Sequence, residues 1–201
     1  MSKLKVGIVG VGGIARTHIP GWHASEHAEL VAGSDIGEDV LNRFGEENGV
    51  DKLHADPEAL FSDSDIDIID ICTPSMYHAP LAIAALEAGK HVLCEKPLSN
   101  DIAQAREMVA EAESRGLYLG TNLNHRFTPF AWKAKGWMDE GPDGRIGEPL
   151  FVNMALRIEN PNESSPFFHF RALHPHSLDV MRFFAGEAEA VHAFANRAPG
   201  R

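Results

Sequence analysis

A glycine-rich segment near the N-terminus combines residue types and a spacing that can hold a phosphate group. Gly10, Gly12 and Ala15 form a G-x-G-x-x-A pattern directly after the apolar residues 6–9. In such a turn, the first glycine permits a tight bend, the second lets the backbone approach a diphosphate, and the small third residue allows a helix to pack closely on a strand. Free N–H groups at the helix N-terminus favour an anion there. A plain strand-to-helix turn explains the glycines equally well. The predicted cofactor contacts in this turn are Gly10, Gly12, Gly13 and Ile14.

An acidic residue further along the chain favours the dinucleotide interpretation. Asp35 follows the apolar residues 30–34. A carboxylate at the end of a second strand can accept hydrogen bonds from the adenine-ribose hydroxyls of a dinucleotide. Residues 36–39 contain no lysine or arginine that would neutralise a 2′-phosphate, so NAD is favoured over NADP. The alternative is a solvated turn aspartate.

Two more predicted strands end in chemically useful side chains. Thr73, Pro74 and His78 follow one strand, and Glu95 and Lys96 follow another. In open α/β sheets, ligands bind beyond the carboxyl ends of the strands, so both groups are expected at the same crevice as the glycine turn. Beside an oxidised nicotinamide and partly desolvated, a lysine is disfavoured as ammonium and can bind or deprotonate a substrate hydroxyl. The alternative is an ordinary surface lysine.

The elements that must position these groups alternate between short apolar runs and helical segments. This alternation predicts an α/β fold with a doubly wound parallel sheet built from right-handed βαβ units. The predicted strands are residues 4–9, 30–34, 66–72, 91–94 and 117–123, with a short edge strand at 52–54. Two predicted helices carry apolar stripes that should pack on the sheet. The stripes are Leu81, Ala84, Ala85 and Ala88, ending at Gly89, and Ile102, Ala105, Val109 and Ala112, ending at Gly116.

Composition narrows the class of protein. The chain has 201 residues, 44% of them apolar, which suits one full domain and part of another. Eighteen basic and 29 acidic residues give a net charge of −11, which argues against nucleic acid as a partner. Two cysteines suit free thiols in a reducing compartment. No apolar run reaches the roughly eighteen residues that a membrane span needs, so we expect a cytoplasmic protein without a membrane partner.

The pattern changes after residue 122. Residues 1–122 are predicted to form the cofactor domain, and residues 123–201 part of an α+β substrate domain. The second part contains a helical segment with Trp132 and Trp137, a turn at 141–144, strands at 150–158 and 190–194, and a helix at about 177–184. Two strands alone are marginally stable in water. The second domain is therefore expected to be incomplete, the chain a fragment, and its own turnover poor.

Six segments together resemble the glucose-fructose oxidoreductase and inositol dehydrogenase family (Gfo/Idh/MocA). They are the G-x-G-x-x-A turn, ICTPSMYH at 71–78, EAGKHVLCEKPLS at 87–99, NHRFTP at 124–129, GRIGEP at 144–149 and HSLDVMRFFAG at 176–186. Glu-Lys-Pro after a strand is the most specific of them. The resemblance implies an NAD(P)-dependent oxidoreductase with an N-terminal Rossmann domain. It also implies a C-terminal α+β domain that supports the substrate site and, in the full-length protein, homo-oligomer contacts.

Carried over by position, the resemblance assigns roles to residues of the first domain. Lys96 would be the active-site lysine and Glu95 a contact to the nicotinamide ribose. Similar proteins have a cis bond at Lys96–Pro97, which would aim the lysine into the pocket. The residues that would line the cofactor groove are Thr73, Pro74 and His78.

In the second domain, His176 matches the family's catalytic histidine. An ordinary imidazole pKa of about 6.5 suits proton exchange near neutrality. Many relatives carry an aspartate four residues earlier, where this chain has Ala172. Asp179 could orient the imidazole instead, or be only a favourable acid in the first helical turn. Asn124 and Arg126 could contact substrate oxygens, with a capped loop and a structural ion pair as the alternative.

A metal site is not predicted. His169, His174 and His176 are possible zinc ligands, but no carboxylate or cysteine completes an obvious set. The expected function is reversible hydride transfer between NAD and a secondary alcohol carbon of a sugar, polyol or related compound, with Lys96 and His176 binding the hydroxyl and taking its proton. The alternatives are a net elimination, epimerisation or glycoside cleavage with tightly held NAD, and a dinucleotide-binding module or sensor without turnover.

Overall fold

Six parallel strands form the centre of the first part of the chain. In the computed structural model, residues 2–147, 149–155 and 174–194 are described, and the chain divides into two compact units, Met1–Asn122 and Leu123–Arg201. The strands of the first unit are β1 Leu4–Val9, β2 Ala28–Ser34, β3 Lys52–His54, β4 Ile68–Ile71, β5 His91–Cys94 and β6 Leu119–Thr121. Their order is β3-β2-β1-β4-β5-β6, and every neighbouring pair is parallel. This is the doubly wound order of dinucleotide-binding sheets, so the predicted α/β class is confirmed.

Helices connect these strands. They are α1 Ala15–Ala24, α2 Glu38–Asn48, α3 Glu58–Ser62, α4 His78–Glu87 and α5 Ile102–Arg115. Helix α5 begins after Asp101, whose side chain accepts hydrogen bonds from the N–H groups of Ala103 and Gln104. It ends at Gly116, where φ is +66°. This start and this stop are the usual N-cap acid and C-terminal glycine.

The central strands are buried on both faces. Val6 and Ile8 on β1 and Ile69 and Ile71 on β4 are fully buried. Strands covered on both faces read as continuous apolar runs, which is why they could be located from the sequence. Asp70 interrupts the run on β4 and is also fully buried. A carboxylate in that position requires charged or hydrogen-bonding partners.

The face that α5 turns to the sheet differs from the predicted one. Ile102 is 73% exposed and Val109 42% exposed, so their assignment to the buried stripe was wrong. Met108 is buried in their place, and Ala112, the last residue of the predicted stripe, is buried as expected. A long, flexible methionine fills irregular space well, and its burial turns Ile102 and Val109 towards solvent.

The regular elements in the described part of the second unit are helices. A 3₁₀ turn at Asn124–Phe127 leads into α6 Pro129–Met138, and α7 spans His174–Ala185. The predicted strands are wrong for residues 150–155 and 190–194, which form no strand, while residues 156–158 lie outside the described residues. A strand needs neighbouring backbone to receive its hydrogen bonds, and the described ranges of this unit contain no strand that could pair with these segments. Nowhere in those ranges is a helix both long and apolar enough to cross a bilayer.

Candidate functional site

The turn after β1 has a backbone shape that requires glycine at its first position. Gly10 has φ of +84°, and its N–H donates to the Ser34 carbonyl at 2.8 Å. A Cβ at this position would lie 2.9 Å from Thr73 Cγ2 and 3.0 Å from the Cys72 carbonyl carbon. Both the backbone conformation and the close approach of the next strand end therefore exclude a side chain.

The following residues leave the N-terminus of α1 accessible. A Cβ built at Gly12 or Gly13 would meet nothing within 4 Å. Ile14 occupies the N-cap position, and no side chain caps the helix there. The first N–H groups of a helix lack partners within the helix and attract anions. The turn therefore combines free donors with the open space that a diphosphate needs.

A cavity of about 430 Å³ adjoins this turn. Gly10, Ser34, Asp35, Thr73, Pro74 and Tyr77 are among its lining residues. The hydroxyl oxygens of Ser34 and Thr73 are buried and have no hydrogen-bond partner among the described residues. Such groups are costly to leave unsatisfied. A polar ligand such as a nucleoside fits a cavity with these hydroxyls in its wall.

Asp35 ties the glycine turn to the end of β2. Its Oδ2 accepts the Val11 N–H at 3.1 Å, and its Oδ1 accepts the Gly37 N–H at 2.9 Å. An ionised carboxylate has about four lone-pair sites, so acceptor capacity remains for ribose hydroxyls. Asp35 directly follows β2, as predicted, and it also lines the cavity.

His78 connects two loops at the same edge of the sheet. Its ring is 1% exposed, with Nδ1 2.7 Å from the Pro97 carbonyl oxygen and Nε2 2.9 Å from the Thr73 carbonyl oxygen. Thr73 and Pro74 lie in the cavity wall. His78 is buried, and its two hydrogen bonds hold the loop after β4 to the loop after β5.

Lys96 lies directly after β5, beside a buried carboxylate. Glu95 is 5% exposed. The Lys96 backbone N–H donates to Glu95 Oε2 at 3.1 Å, and the Lys96 Nζ lies 3.8 Å from the same oxygen. The Lys96 side chain is 21% exposed, and the Lys96–Pro97 peptide bond is cis. Because β1, β4 and β5 are neighbours, their carboxyl ends bring the Gly10 turn, Thr73 and Lys96 to one edge.

A buried polar network, which the sequence did not predict, surrounds Glu95, the residue before Lys96. His18 Nδ1 lies 2.9 Å from Asp70 Oδ2, and His18 Nε2 lies 3.0 Å from Glu95 Oε1. Asn122 Nδ2 donates to the same Glu95 oxygen at 2.6 Å. Trp22 Nε1 donates to Asp70 Oδ2 at 2.6 Å. The one sequence signal was Asp70 itself, a carboxylate within an apolar strand.

Charges alternate through this network. Burial disfavours a charged imidazole, but hydrogen bonds with Asp70, Cys72 and Glu95 outweigh it and raise the pKa of His18 to about 12. Burial also opposes ionisation of Glu95, yet hydrogen bonds with His18 and Asn122 hold the pKa of this carboxyl below its usual value. His18 as a cation thus lies between two carboxylates, and paired charges of this kind tolerate burial.

Three of these residues also have an arrangement that a metal ion could use. Ligand atoms of His18, Asp70 and Cys72 all lie within 4.8 Å of one another. The Cys72 Sγ lies 3.6 Å from Asp70 Oδ1 and 3.5 Å from His18 Nδ1. A zinc site requires thiolate and neutral imidazole, whereas burial raises the pKa of Cys72 to about 12. Hydrogen bonds account for the cluster. Of the histidines considered for a metal earlier, His169 lies outside the described residues.

Both cysteine thiols are expected to be unreactive in the native protein. Cys72 and Cys94 are buried, and burial raises the pKa of each thiol. Only the thiolate is nucleophilic. At about pH 8, a disulfide reagent should label the native thiols at least ~100-fold more slowly than the same thiols in denaturant. Rapid labelling of the native protein would contradict this assignment.

In the second unit, Arg126 and Asp179 form a bidentate ion pair. Arg126 Nε lies 2.7 Å from Asp179 Oδ2, and its Nη2 also contacts the carboxylate. Asp179 is 6% exposed, and its hydrogen bonds raise the pKa of Arg126. Arg126 therefore forms a structural ion pair, which was the alternative to a substrate contact, and its partner is Asp179. Asn124 is exposed at the start of the 3₁₀ turn.

His176 lies in the first turn of α7 and stacks on a second imidazole. The ring centroids of His125 and His176 are 4.0 Å apart, with an interplanar angle of 13°. His125 was not singled out from the sequence. Ala172, which stands where many relatives have an aspartate, lies outside the described residues.

Fold and site together define a dinucleotide-binding α/β protein. A family model described as "Oxidoreductase family, NAD-binding Rossmann fold" matches residues 4–123, and the chain belongs to this Gfo/Idh/MocA family. The resemblance drawn from the six sequence segments is therefore confirmed.

Similar proteins include sugar and polyol dehydrogenases. Myo-inositol 2-dehydrogenase of Thermotoga maritima is 32% identical over 96% of this chain and 58% of that protein. D-apiose dehydrogenase of Paraburkholderia graminis is 30% identical over 98% of this chain and 54% of that protein. A crystal structure of a probable dehydrogenase from Thermotoga maritima superimposes with a TM-score of 0.77 at 28% identity, covering 92% of this chain and 56% of that one. The chain thus spans little more than half the length of these relatives.

Proposed function

We propose that the whole protein catalyses NAD-dependent hydride transfer at a secondary alcohol carbon of a sugar or polyol. The observation that carries this proposal is Lys96, partly buried beside Glu95 at the sheet edge that also bears the Gly10 turn. The names of the inositol and apiose dehydrogenases support the substrate class. Family membership supports the redox chemistry.

The side chains of this protein would bind the substrate and move its proton. NAD, when bound, accepts or returns the hydride. Lys96 is proposed to donate a hydrogen bond to the reacting oxygen and to stabilise negative charge that develops there. Glu95 holds the lysine at its backbone and near its amine. His176 is proposed as the proton carrier. Asn124 and Arg126 are proposed substrate contacts, and Asp179 holds the Arg126 guanidinium in place.

The cofactor contacts are assigned to the first unit. Gly10 shapes the turn, while Gly12, Gly13 and Ile14 present backbone to the diphosphate. The residues proposed to hold the adenosine and nicotinamide halves are Asp35, Thr73, Pro74 and Glu95, with His78 fixing the loops beneath them. The 2′-phosphate of NADP would place negative charge next to the Asp35 carboxylate. NAD is therefore the proposed cofactor, and NADP is expected to bind more weakly.

Two measurements on the whole protein test this function. Nicotinamide fluorescence should report NADH binding, and a panel of polyols and sugars, beginning with myo-inositol, should produce NADH absorbance in the presence of NAD. Turnover with any member of the panel supports the proposal. NADH binding without turnover across the panel would overturn it and favour the sensor.

The Asp35→Asn variant is expected to narrow the preference for NADH over NADPH by about tenfold, because a neutral amide no longer repels a 2′-phosphate. The amide keeps one oxygen that can accept the Val11 N–H, so the turn should persist. Fluorescence titration with both reduced cofactors measures the ratio. Asp39→Asn is the matched control, since Asp39 is an exposed acid in the first turn of α2 and should leave the ratio unchanged. An unchanged ratio in Asp35→Asn would refute the assignment.

A further inference from the structure

The buried network connects the interior of the first unit to Lys96. His18 comes from α1, Asp70 from β4, and Glu95 from the end of β5. The side chains of these three residues are 5%, 0% and 6% exposed. One Glu95 oxygen, Oε1, contacts His18. The other, Oε2, contacts the backbone N–H of Lys96 and lies 3.8 Å from its amine. The two oxygens of the Glu95 carboxylate therefore connect His18 to Lys96.

We propose that His18 is a positioning residue for Lys96: as an imidazolium bound through both ring nitrogens, it fixes the Glu95 carboxylate that holds the lysine. This inference rests on the proposed role of Lys96 in the reaction. His18 is buried and would act through Glu95, which it contacts directly. None of the six segments that carry the family resemblance includes it.

The hydrogen-bond geometry around His18 favours the protonated ring. Nδ1 lies 2.9 Å from one carboxylate and Nε2 3.0 Å from another. Asn122 Nδ2 also lies 2.9 Å from Nε2, which a neutral ring could accept. That arrangement would leave the Glu95 oxygen facing a nitrogen lone pair at 3.0 Å. Asn122 can instead direct its hydrogen to Glu95 Oε1 at 2.6 Å. Hydrogen bonds from an imidazolium to two carboxylates are more stabilising than one hydrogen bond from the Asn122 amide to a neutral ring, since charge-assisted bonds are roughly twice as strong as neutral ones.

Removal of the imidazolium would leave two carboxylates without their shared cation. Trp22 and Asn122 still donate to them, and the Cys72 thiol still donates to Asp70, but all three donors are neutral. Glu95 would then take up a proton or rotate towards the Lys96 amine, 3.8 Å from Oε2. Either change alters the contacts of Glu95 with the Lys96 backbone and amine and so moves the lysine from its position. The cost of removing one partner from buried charges comes from the ions left behind.

The first test measures the protonation of His18 directly and requires no substrate. Ring ¹⁵N resonances of histidine distinguish an imidazolium from each neutral tautomer, and the spectrum of His18→Gln assigns the signal. We expect both ring nitrogens of His18 to remain protonated from about pH 6 to about pH 9. An ordinary imidazole has lost its proton at the upper end of this range. A neutral ring at about pH 7.5 would overturn the inference, whatever the enzyme does.

The second test measures the consequence for turnover. His18→Gln is expected to lower kcat by ~10- to 100-fold while the dissociation constant for NADH stays within about threefold, because misplaced catalytic groups affect chemistry more than binding. His23→Gln is the matched control. His23 is an exposed histidine on the same helix, with Nε2 3.2 Å from Asn48 Oδ1, and its loss should leave kcat unchanged.

The pH dependence separates positioning from general stabilisation. Hydrogen bonds with His18 help to hold the pKa of Glu95 low. Without them that pKa rises, so protonation of Glu95 should remove activity at a higher pH. The acidic limb of the pH–rate profile is expected to move up by at least about one unit in His18→Gln. A uniform loss of activity at every pH would indicate a structural role and overturn the inference.

Two further variants keep the test decisive if His18→Gln folds poorly. Asp70→Asn, added to His18→Gln, removes one of the two unpaired carboxylates and should recover folded protein. Trp22→Phe removes only the indole donor to Asp70 and should shift the acidic limb in the same direction by less. Full turnover in the double variant, with Lys96→Met inactive, would refute the role of His18 and leave the proposed function standing. Full turnover in Lys96→Met would refute the proposed function itself.

Discussion

Replacement of Lys96 by methionine is expected to lower kcat by ~10²- to 10⁴-fold, the range that positioned proton-transfer and charge-stabilising groups contribute. Methionine retains an unbranched apolar stem and removes the amine, so packing around the side chain should change little. NADH affinity is expected to stay within about threefold of the wild-type value, because the glycine turn and Asp35 hold the diphosphate and the adenosine half of the cofactor. Initial rates on the first active polyol, together with NADH titration, measure both quantities.

A surface lysine provides the matched control. Lys52 lies on the edge strand β3, has 43% of its side chain exposed and pairs with Asp63. Lys52→Met should leave both kcat and NADH affinity unchanged, since an exposed ion pair on the edge strand contributes little to stability and contacts neither Lys96 nor the glycine turn. Turnover by Lys96→Met at more than about a tenth of the wild-type rate would remove Lys96 from the mechanism.

The sheet could be predicted because its central strands are buried on both faces. Such strands appear as apolar runs bounded by turn residues, and residues 91–94 were located without error. The run at 66–72 was located although Asp70 interrupts it, and β4 occupies its centre, Ile68–Ile71. Residues 150–155 also carry apolar side chains but form no strand. Apolar character alone does not supply the neighbouring strand that hydrogen bonding requires.

The side-chain partners within the site could not be predicted. Glu95 and Lys96 were found from a local motif, whereas the His18 partners Asp70 and Glu95 lie 52 and 77 positions away in sequence. Local spacing carries no information about which buried groups from different strands will meet. Arg126 illustrates the same limit, since its pairing with Asp179 spans 53 positions. Both pairings depend on tertiary packing.

Replacement of Gly10 by alanine is expected to destabilise the first unit by about 2–5 kcal/mol, the sum of left-handed backbone strain and overpacking. The backbone there has φ of +84°. The new methyl group would also lie 3.0 Å from the backbone nitrogen of Thr73 and from the carbonyl carbon of Cys72. These are backbone atoms, so a side-chain rotation cannot relieve the contact. The turn must move away from the end of β4, and NADH affinity should fall by at least ~100-fold as the amides lose their alignment.

Gly49→Ala separates the two contributions to that loss. Gly49 ends α2 with φ of +66°, and a Cβ there meets nothing within 4 Å. This variant should therefore show backbone strain alone, about 1–2 kcal/mol, with NADH affinity unchanged. Urea unfolding and NADH titration of both variants measure the comparison. If the two substitutions destabilised the protein equally, close approach of the β4 loop would not explain Gly10, and backbone conformation alone would account for the first glycine of the turn.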